Sequence, residues 1–151
     1  MKKWQRLLLT LAVALIGLAL FLAGWAVYAH FTAKPLASCL EEERGADLCQ
    51  IRWHYTNLDA RELELTGEGL EEFWAYLNTV QVSPALRSRN YKLAGNNYYI
   101  AFYKQDKQLA ELILSPAGEL VVIRGGRGYD YQVRLTDGER LVLPLDRWEP
   151  A

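Results

Sequence analysis

Few side chains in this sequence have the types and spacing that chemistry needs. Nucleophilic catalysis requires a base beside the nucleophile, and beyond position 33 the chain holds a single histidine, His54. It sits in the alternating run CQIRWHYT on the side opposite Ile51, Trp53 and Tyr55, an exposed strand position. No Gly-x-Ser-x-Gly elbow accompanies it, so a hydrolase triad is not expected. The two cysteines, Cys39 and Cys49, form no CxxC, and His54 alone cannot complete a zinc shell around two thiolates. In an oxidising compartment two such thiols tend to pair. A Cys39–Cys49 disulfide is therefore expected, closing a short loop that turns at Gly45 and is worth roughly 3 kcal/mol in the chain-entropy picture.

The remaining candidates are carboxylates, a glycine-rich turn and aromatic rings. Glu41, Glu42 and Glu43 read as a solvated face, and Glu68, Glu71 and Glu72 as the negative first turn of a helix. There is no HExxH and no EF-hand loop, so no metal and no cofactor are expected. Arg124-Gly125-Gly126-Arg127-Gly128 reads first as a turn between strands. Its backbone amides and two guanidinium groups also form a candidate anion-binding turn for a phosphate or carboxylate, at Arg124, Gly125, Gly126 and Arg127. Trp53, Tyr55, Trp74, Tyr98, Phe102, Tyr103, Tyr129 and Tyr131 are many rings for a small domain, and exposed rings bind glycans or peptides. Periodicity nevertheless places Trp53, Tyr55 and Trp74 inward. Tyr98 and Tyr99 are neighbours on one strand and point to opposite faces.

These groups are presented by a chain of 151 residues with a divided charge. Lys2, Lys3 and Arg6 precede a long apolar run, and every acidic residue lies after position 40; the chain beyond the run holds fourteen basic and eighteen acidic residues, a net charge of −4. An acidic domain lacks the clustered Lys and Arg that phosphate neutralisation requires, which excludes nucleic acid as a partner.

From Leu7 to Val27 the one polar side chain is Thr10, and those 21 residues extend ~31 Å as a helix, the thickness of a hydrocarbon core. Trp4 at one end and Trp25 and Tyr28 at the other are the rings expected at the two headgroup levels. The basic tip predicts a cytoplasmic N-terminus and an outer C-terminal domain in the cell membrane. A cleaved signal peptide would share that orientation, and Val27-Tyr28-Ala29 offers small residues for cleavage. Leu36-Ala37-Ser38-Cys39 resembles a lipobox, but Lys34 and Pro35 separate it from the apolar run. The run exceeds a signal h-region, and on length the retained anchor is the expectation. Ala19 and Ala23 form a small-xxx-small pair of the kind that also arises in ordinary lipid-facing helices.

The chain thus divides into a basic tail (1–6), a membrane helix with its outer interface (7–33), a juxtamembrane stem (34–48) and one outer domain (49–151). In the domain, 49–56 and 61–66 alternate as a hairpin around Asn57-Leu58-Asp59. Leu70, Phe73, Trp74, Leu77 and Val80 fall at helical spacing, with Pro84 as a stop. Residues 83–97 read as a long polar connection. Strands are expected at 98–104, 108–115, 119–124, 129–136 and 139–143, the last pair around Asp137-Gly138, a strong hairpin signal. The predicted fold is α+β: one N-terminal transmembrane helix, then an antiparallel sheet of about six or seven strands with one amphipathic helix packed on it.

The layout (basic tip, apolar helix, acidic stem, then LEEFWAYLN and a YYIAFY…ELILS…GELVVI meander) resembles small uncharacterised extracytoplasmic proteins of Gram-positive bacteria. That resemblance implies a membrane-tethered domain without an established activity and transfers no site residues. The functional expectation is a single-pass, membrane-anchored binding or accessory domain, not an enzyme. Its partners would be membrane lipid through residues 7–33 and an envelope protein or peptide, taken for instance by β-augmentation. The alternatives are a small cell-envelope hydrolase using paired carboxylates and a structural subunit interacting through its anchor helix.

Overall fold

The computed structural model describes residues 2–56, 59–85 and 96–149, apart from the side chains of residues 54–56 and 59. The turn expected at Asn57-Leu58 and the basic residues Arg87, Arg89 and Lys92 lie outside the described residues, as do the side chains of His54 and Tyr55. The chain forms two compact units, Met1–Thr32 and Ala33–Ala151.

The first unit is one helix, α1 (Lys3–Phe31), with no buried residue and with the length and apolarity to cross a membrane. The lone hydroxyl in its apolar stretch is satisfied inside the helix: Thr10 Oγ1 donates to the Arg6 carbonyl at 3.0 Å. At its C-terminal end the Thr32 hydroxyl donates to the Tyr28 carbonyl at 2.7 Å, and the Trp25 and Tyr28 rings stand 6.0 Å apart.

The second unit is α+β. Its elements are β1 (Lys34–Pro35), a kinked 3-10 segment (Leu36–Glu43), β2 (Leu48–Thr56), β3 (Asp59–Leu65), α2 (Gly67–Leu77), β4 (Gln81–Pro84), β5 (Tyr98–Lys104), β6 (Lys107–Leu114), β7 (Glu119–Arg124), β8 (Arg127–Val133) and a final 3-10 turn (Leu145–Arg147). The strands form one antiparallel sheet in the order β1-β4-β8-β7-β6-β5-β2-β3. From β5 to β8 the sheet is a plain meander, because each connection is short. Arg124 pairs with Arg127 across Gly125 and Gly126, whose φ angles of +59° and +78° suit a two-residue hairpin turn that glycine adopts without cost.

The sheet has eight strands where sequence reasoning expects six or seven. β1 and β4 are the additions, two and four residues long, too short to show a period. Conversely, 139–143 is not a strand. Leu141, Leu143 and Leu145 are buried and Val142 is exposed, so the alternation is real. The segment makes isolated bonds, Leu141 N–H to the Pro116 carbonyl and Leu143 N–H to the Tyr98 hydroxyl, instead of a ladder. The helix ends at Leu77, before the expected stop, and Pro84 lies in β4.

One face of the sheet carries the main core. Ile51, Phe102 and Leu112 are fully buried there, as are Phe73 and Trp74 of α2, whose rings lie 6.3 and 5.0 Å from that of Phe102. Trp148 closes the tail onto Phe73 at 5.1 Å. The segment read as a stem is part of this core: Leu36 and Leu40 are 0% exposed and Glu43 is 1% exposed. Burying two leucines is worth ~3–6 kcal/mol, enough to make 36–43 a structural element.

Candidate functional site

At one end of the core face, register lines up Arg61, Trp53 and Tyr98 on β3, β2 and β5. Facing them, the extended segment 140–146 runs over the sheet end, held by its bonds to Pro116 and Tyr98. Between the two lies a cleft of about 540 Å³, lined also by Asn96, Pro116 and Glu149. That volume falls in the usual ~300–1,000 Å³ range for small-molecule sites.

The lining is a mixed one. Trp53, Tyr98, Leu141, Leu143 and Leu145 give apolar walls, and Val142, 70% exposed, stands at the rim. Arg140 adds a guanidinium to the lining, and Asp146 and Glu149 add carboxylates. Trp53 is 6% exposed, and its N–H has no hydrogen-bond partner. A buried donor left unpaired costs ~1–3 kcal/mol. Trp74 Nε1 is likewise unpaired, but Trp74 lies under Arg44, whose guanidinium sits 5.1 Å above its ring, within the core.

The site residues named from sequence are distributed elsewhere. Arg124 is engaged inside the protein: its Nε and Nη2 donate to the two carboxylate oxygens of Glu43, the latter at 3.1 Å, and Nη2 also donates to the Cys39 carbonyl at 2.9 Å. Glu42 lies 3.6 Å away and the Tyr129 ring 5.7 Å. The bonds from Glu43 push the guanidinium further up in pKa, against the opposing effect of burial. The turn thus orients a structural clamp, Arg124 onto Glu43, while Gly125, Gly126 and Arg127 are exposed. A free anion would have to compete with a buried carboxylate for Arg124.

The expected disulfide is absent: Cys39 and Cys49 are both free. The physical reason is direction. Cys49 points into the core opposite Phe102 and Leu65, fully buried, and burial drives its thiol far above the usual range. Cys39 is half-buried on the 3-10 segment, its sulfur 4.0 Å from the Pro35 carbonyl. Burial raises this thiol too, partly offset by Lys34, Ser38, Tyr131 and Arg124. The lipobox reading meets the same obstacle, since processing before Cys39 would remove β1 and the buried Leu36.

Sequence reasoning missed Arg61, Arg140, Val142, Asp146 and Glu149 as cleft residues. The signal lay in 139–145, where an apolar alternation runs into Pro144 and a strand would have to break. Trp4, Trp25 and Tyr28 are exposed on α1. Among the described residues no group of three His, Cys, Asp or Glu side chains converges as a metal site would require. Comparison of the chain with protein-family models, with curated proteins and with solved structures finds no match.

Proposed function

We propose that this chain is a single-pass membrane protein whose N-terminus is cytoplasmic and whose α+β domain, outside the cytoplasmic membrane, binds an envelope protein or peptide in the cleft between Trp53 and segment 140–146. The helix is retained as the anchor; its span, the basic tip and the rings of Trp4, Trp25 and Tyr28 support that reading. One observation supports the binding function: a cleft of about 540 Å³ whose lining joins apolar walls to charged side chains. Apolar walls with guanidinium and carboxylate groups on the same lining suit a peptide chain bearing both charges.

A photo-reactive side chain placed at position 142 of the full protein in its native membrane tests this. The expected result is one discrete adduct, accessible to reagents outside the cell and weakened by Arg140→Glu. Equal labelling from position 72, on the exposed side of α2, would reject the cleft as the site.

A second reading draws on the same place. Asp146 and Glu149 both line the cleft, as a carboxylate-dependent hydrolase would require. Asp146→Asn with Glu149→Gln separates the two: a binding domain still forms the adduct at position 142, whereas a hydrolase loses all turnover of envelope polymer. A structural role for the anchor helix would appear as lost function when Leu7–Val27 is exchanged for an unrelated spanning helix.

A further inference from the structure

The segment 139–144 closes the cleft as a strap whose two edges differ. Leu141 and Leu143 are buried, while Arg140 and Val142 are exposed, Val142 to 70%. This alternation is that of an extended chain, in which the N–H and C=O groups of successive residues leave toward opposite edges. One edge is tethered: the Leu141 N–H donates to the Pro116 carbonyl at 2.8 Å and the Leu143 N–H to the Tyr98 hydroxyl at 3.4 Å. The other edge belongs to Arg140 and Val142. Among the described residues nothing bonds to the backbone N–H or C=O of either. Beyond α1, Val142 and Tyr129 are the large apolar side chains that stand exposed among the described residues.

Register and chemistry decide what pairs there. An antiparallel strand beside this edge exchanges two bonds with Val142 and two with Arg140, and Pro144, which has no N–H, ends the row. A second copy of the strap fits poorly. Centred on Val142, it sets its own Pro144 opposite Arg140; shifted to bring its Asp146 to Arg140, it sets Pro144 opposite Val142. Either register puts a residue without a donor into the pairing row. A peptide from another protein carries no such restriction.

We infer that the outer edge of this strap takes an extended peptide as an added antiparallel strand, with a β-branched residue facing Val142 and, two residues further on, an acidic residue facing Arg140. The inference rests on the cleft as the binding site proposed above, and adds the pairing mode and the class of peptide. Backbone bonds supply affinity, and the two facing side chains supply selection. Cross-strand partners stand ~4.5–5.5 Å apart at Cβ, within reach of a guanidinium–carboxylate contact. The tethers hold this edge in place before binding, because the bonds from Leu141 and Leu143 lie on the opposite side and need not break.

The test uses the full chain in nanodiscs of zwitterionic lipid, with empty nanodiscs as background. The probe is a labelled peptide, Thr-Thr-Val-Thr-Glu-Thr, capped at both ends, alongside versions N-methylated at its Val or at the Thr that follows. The parent peptide is expected to bind. Methylating the Val amide, which donates to the strap, should weaken it about tenfold, and methylating the next amide, which points away, by no more than about twofold. Arg140→Glu should transfer preference to the peptide with Lys in place of Glu. Equal loss from both methylations, loss from neither, or no binding of the parent peptide would overturn strand addition. The adduct at position 142 in the native membrane separates this inference from the reading beneath it. With the adduct present, failure of the peptides overturns the pairing and leaves the cleft standing; with it absent, both fall. An adduct joining two copies of this chain would also overturn the inference.

Discussion

Consider replacing each member of the Arg124–Glu43 clamp in turn. Glu43 is 1% exposed, and Arg124 is the one cation bonded to it in the described structure. Arg124→Leu strands a buried carboxylate, and stripping one partner from a buried pair costs ~3–5 kcal/mol. Glu43→Gln leaves a different situation. The guanidinium side chain is 21% exposed and keeps the Cys39 carbonyl at 2.9 Å, Glu42 at 3.6 Å and the Tyr129 ring. It can relax toward water, so the loss is closer to that of one charged hydrogen bond, ~1.5–3 kcal/mol. The pair Arg124→Leu with Glu43→Met buries no charge and should recover most of the loss, to within ~1–2 kcal/mol of the parent. The assay is thermal unfolding of the full chain in detergent, followed by tryptophan emission. For a unit of this size, 1 kcal/mol shifts the melting temperature by about 3–5 °C, so Arg124→Leu should melt about 10–20 °C early. If Glu43→Gln proves the more damaging, or if the double variant is as unstable as Arg124→Leu, the clamp is not the buried, oriented pair described here.

Other expectations concern the thiols, the indole, one turn and processing. Burial holds Cys49, and more weakly Cys39, above the usual thiol range; unfolded thiols ionise first, so stability present below about pH 8.5 should fall above it, at up to ~1.4 kcal/mol per pH unit per thiol. Melting curves between pH 8 and 10 should show this decline, and Cys49→Ala should flatten it; an unchanged slope would refute the assignment. Trp53→Phe removes an unpaired buried N–H along with some apolar area, so the two effects offset and stability should stay within ~1 kcal/mol of the parent, whereas Trp53→Ala should cost ~3–5 kcal/mol. Gln105 and Asp106 turn the β5–β6 hairpin with φ of +49° and +64°; Asp106→Gly should therefore stabilise by ~0.5–1 kcal/mol, read as a higher urea midpoint. Intact mass should show no lipid on Cys39, and a chain beginning at Cys39 should fail to give a cooperative melt, because it lacks Leu36 and β1.

How much the sequence revealed depends on how local each signal is. β5 and β7 match their expected bounds at both ends, since Tyr98–Lys104 and Glu119–Arg124 combine β-prone residues with turn chemistry next to them. β1 carries no such mark, because a two-residue strand is defined by its neighbour, β4, and not by its own residues. The cysteines show the same divide. Their spacing suggested a bridge, but Cys49 belongs to a core-facing row of β2, and the packing of Leu36 and Leu40 decides where Cys39 goes. At Arg124 the glycines of the turn were legible, while the carboxylate that claims the guanidinium lies 81 residues earlier. The cleft stayed hidden because segment 139–145 alternates like a strand while bonding to Pro116 and Tyr98 as a strap.

Between the end of α1 and the start of β1 stand only Thr32 and Ala33. With so little spare chain, traction on the helix is delivered to the two-residue ladder of β1 against β4, which would peel open one rung at a time. The load then meets Leu36, Leu40 and the Glu43 carboxylate gripped by Arg124, at the far end of the 3-10 segment. Pulled from its N-terminal end, the domain would give way first at a cheap edge seam, and the sheet centre would be reached only after an ion pair had been torn from its bed.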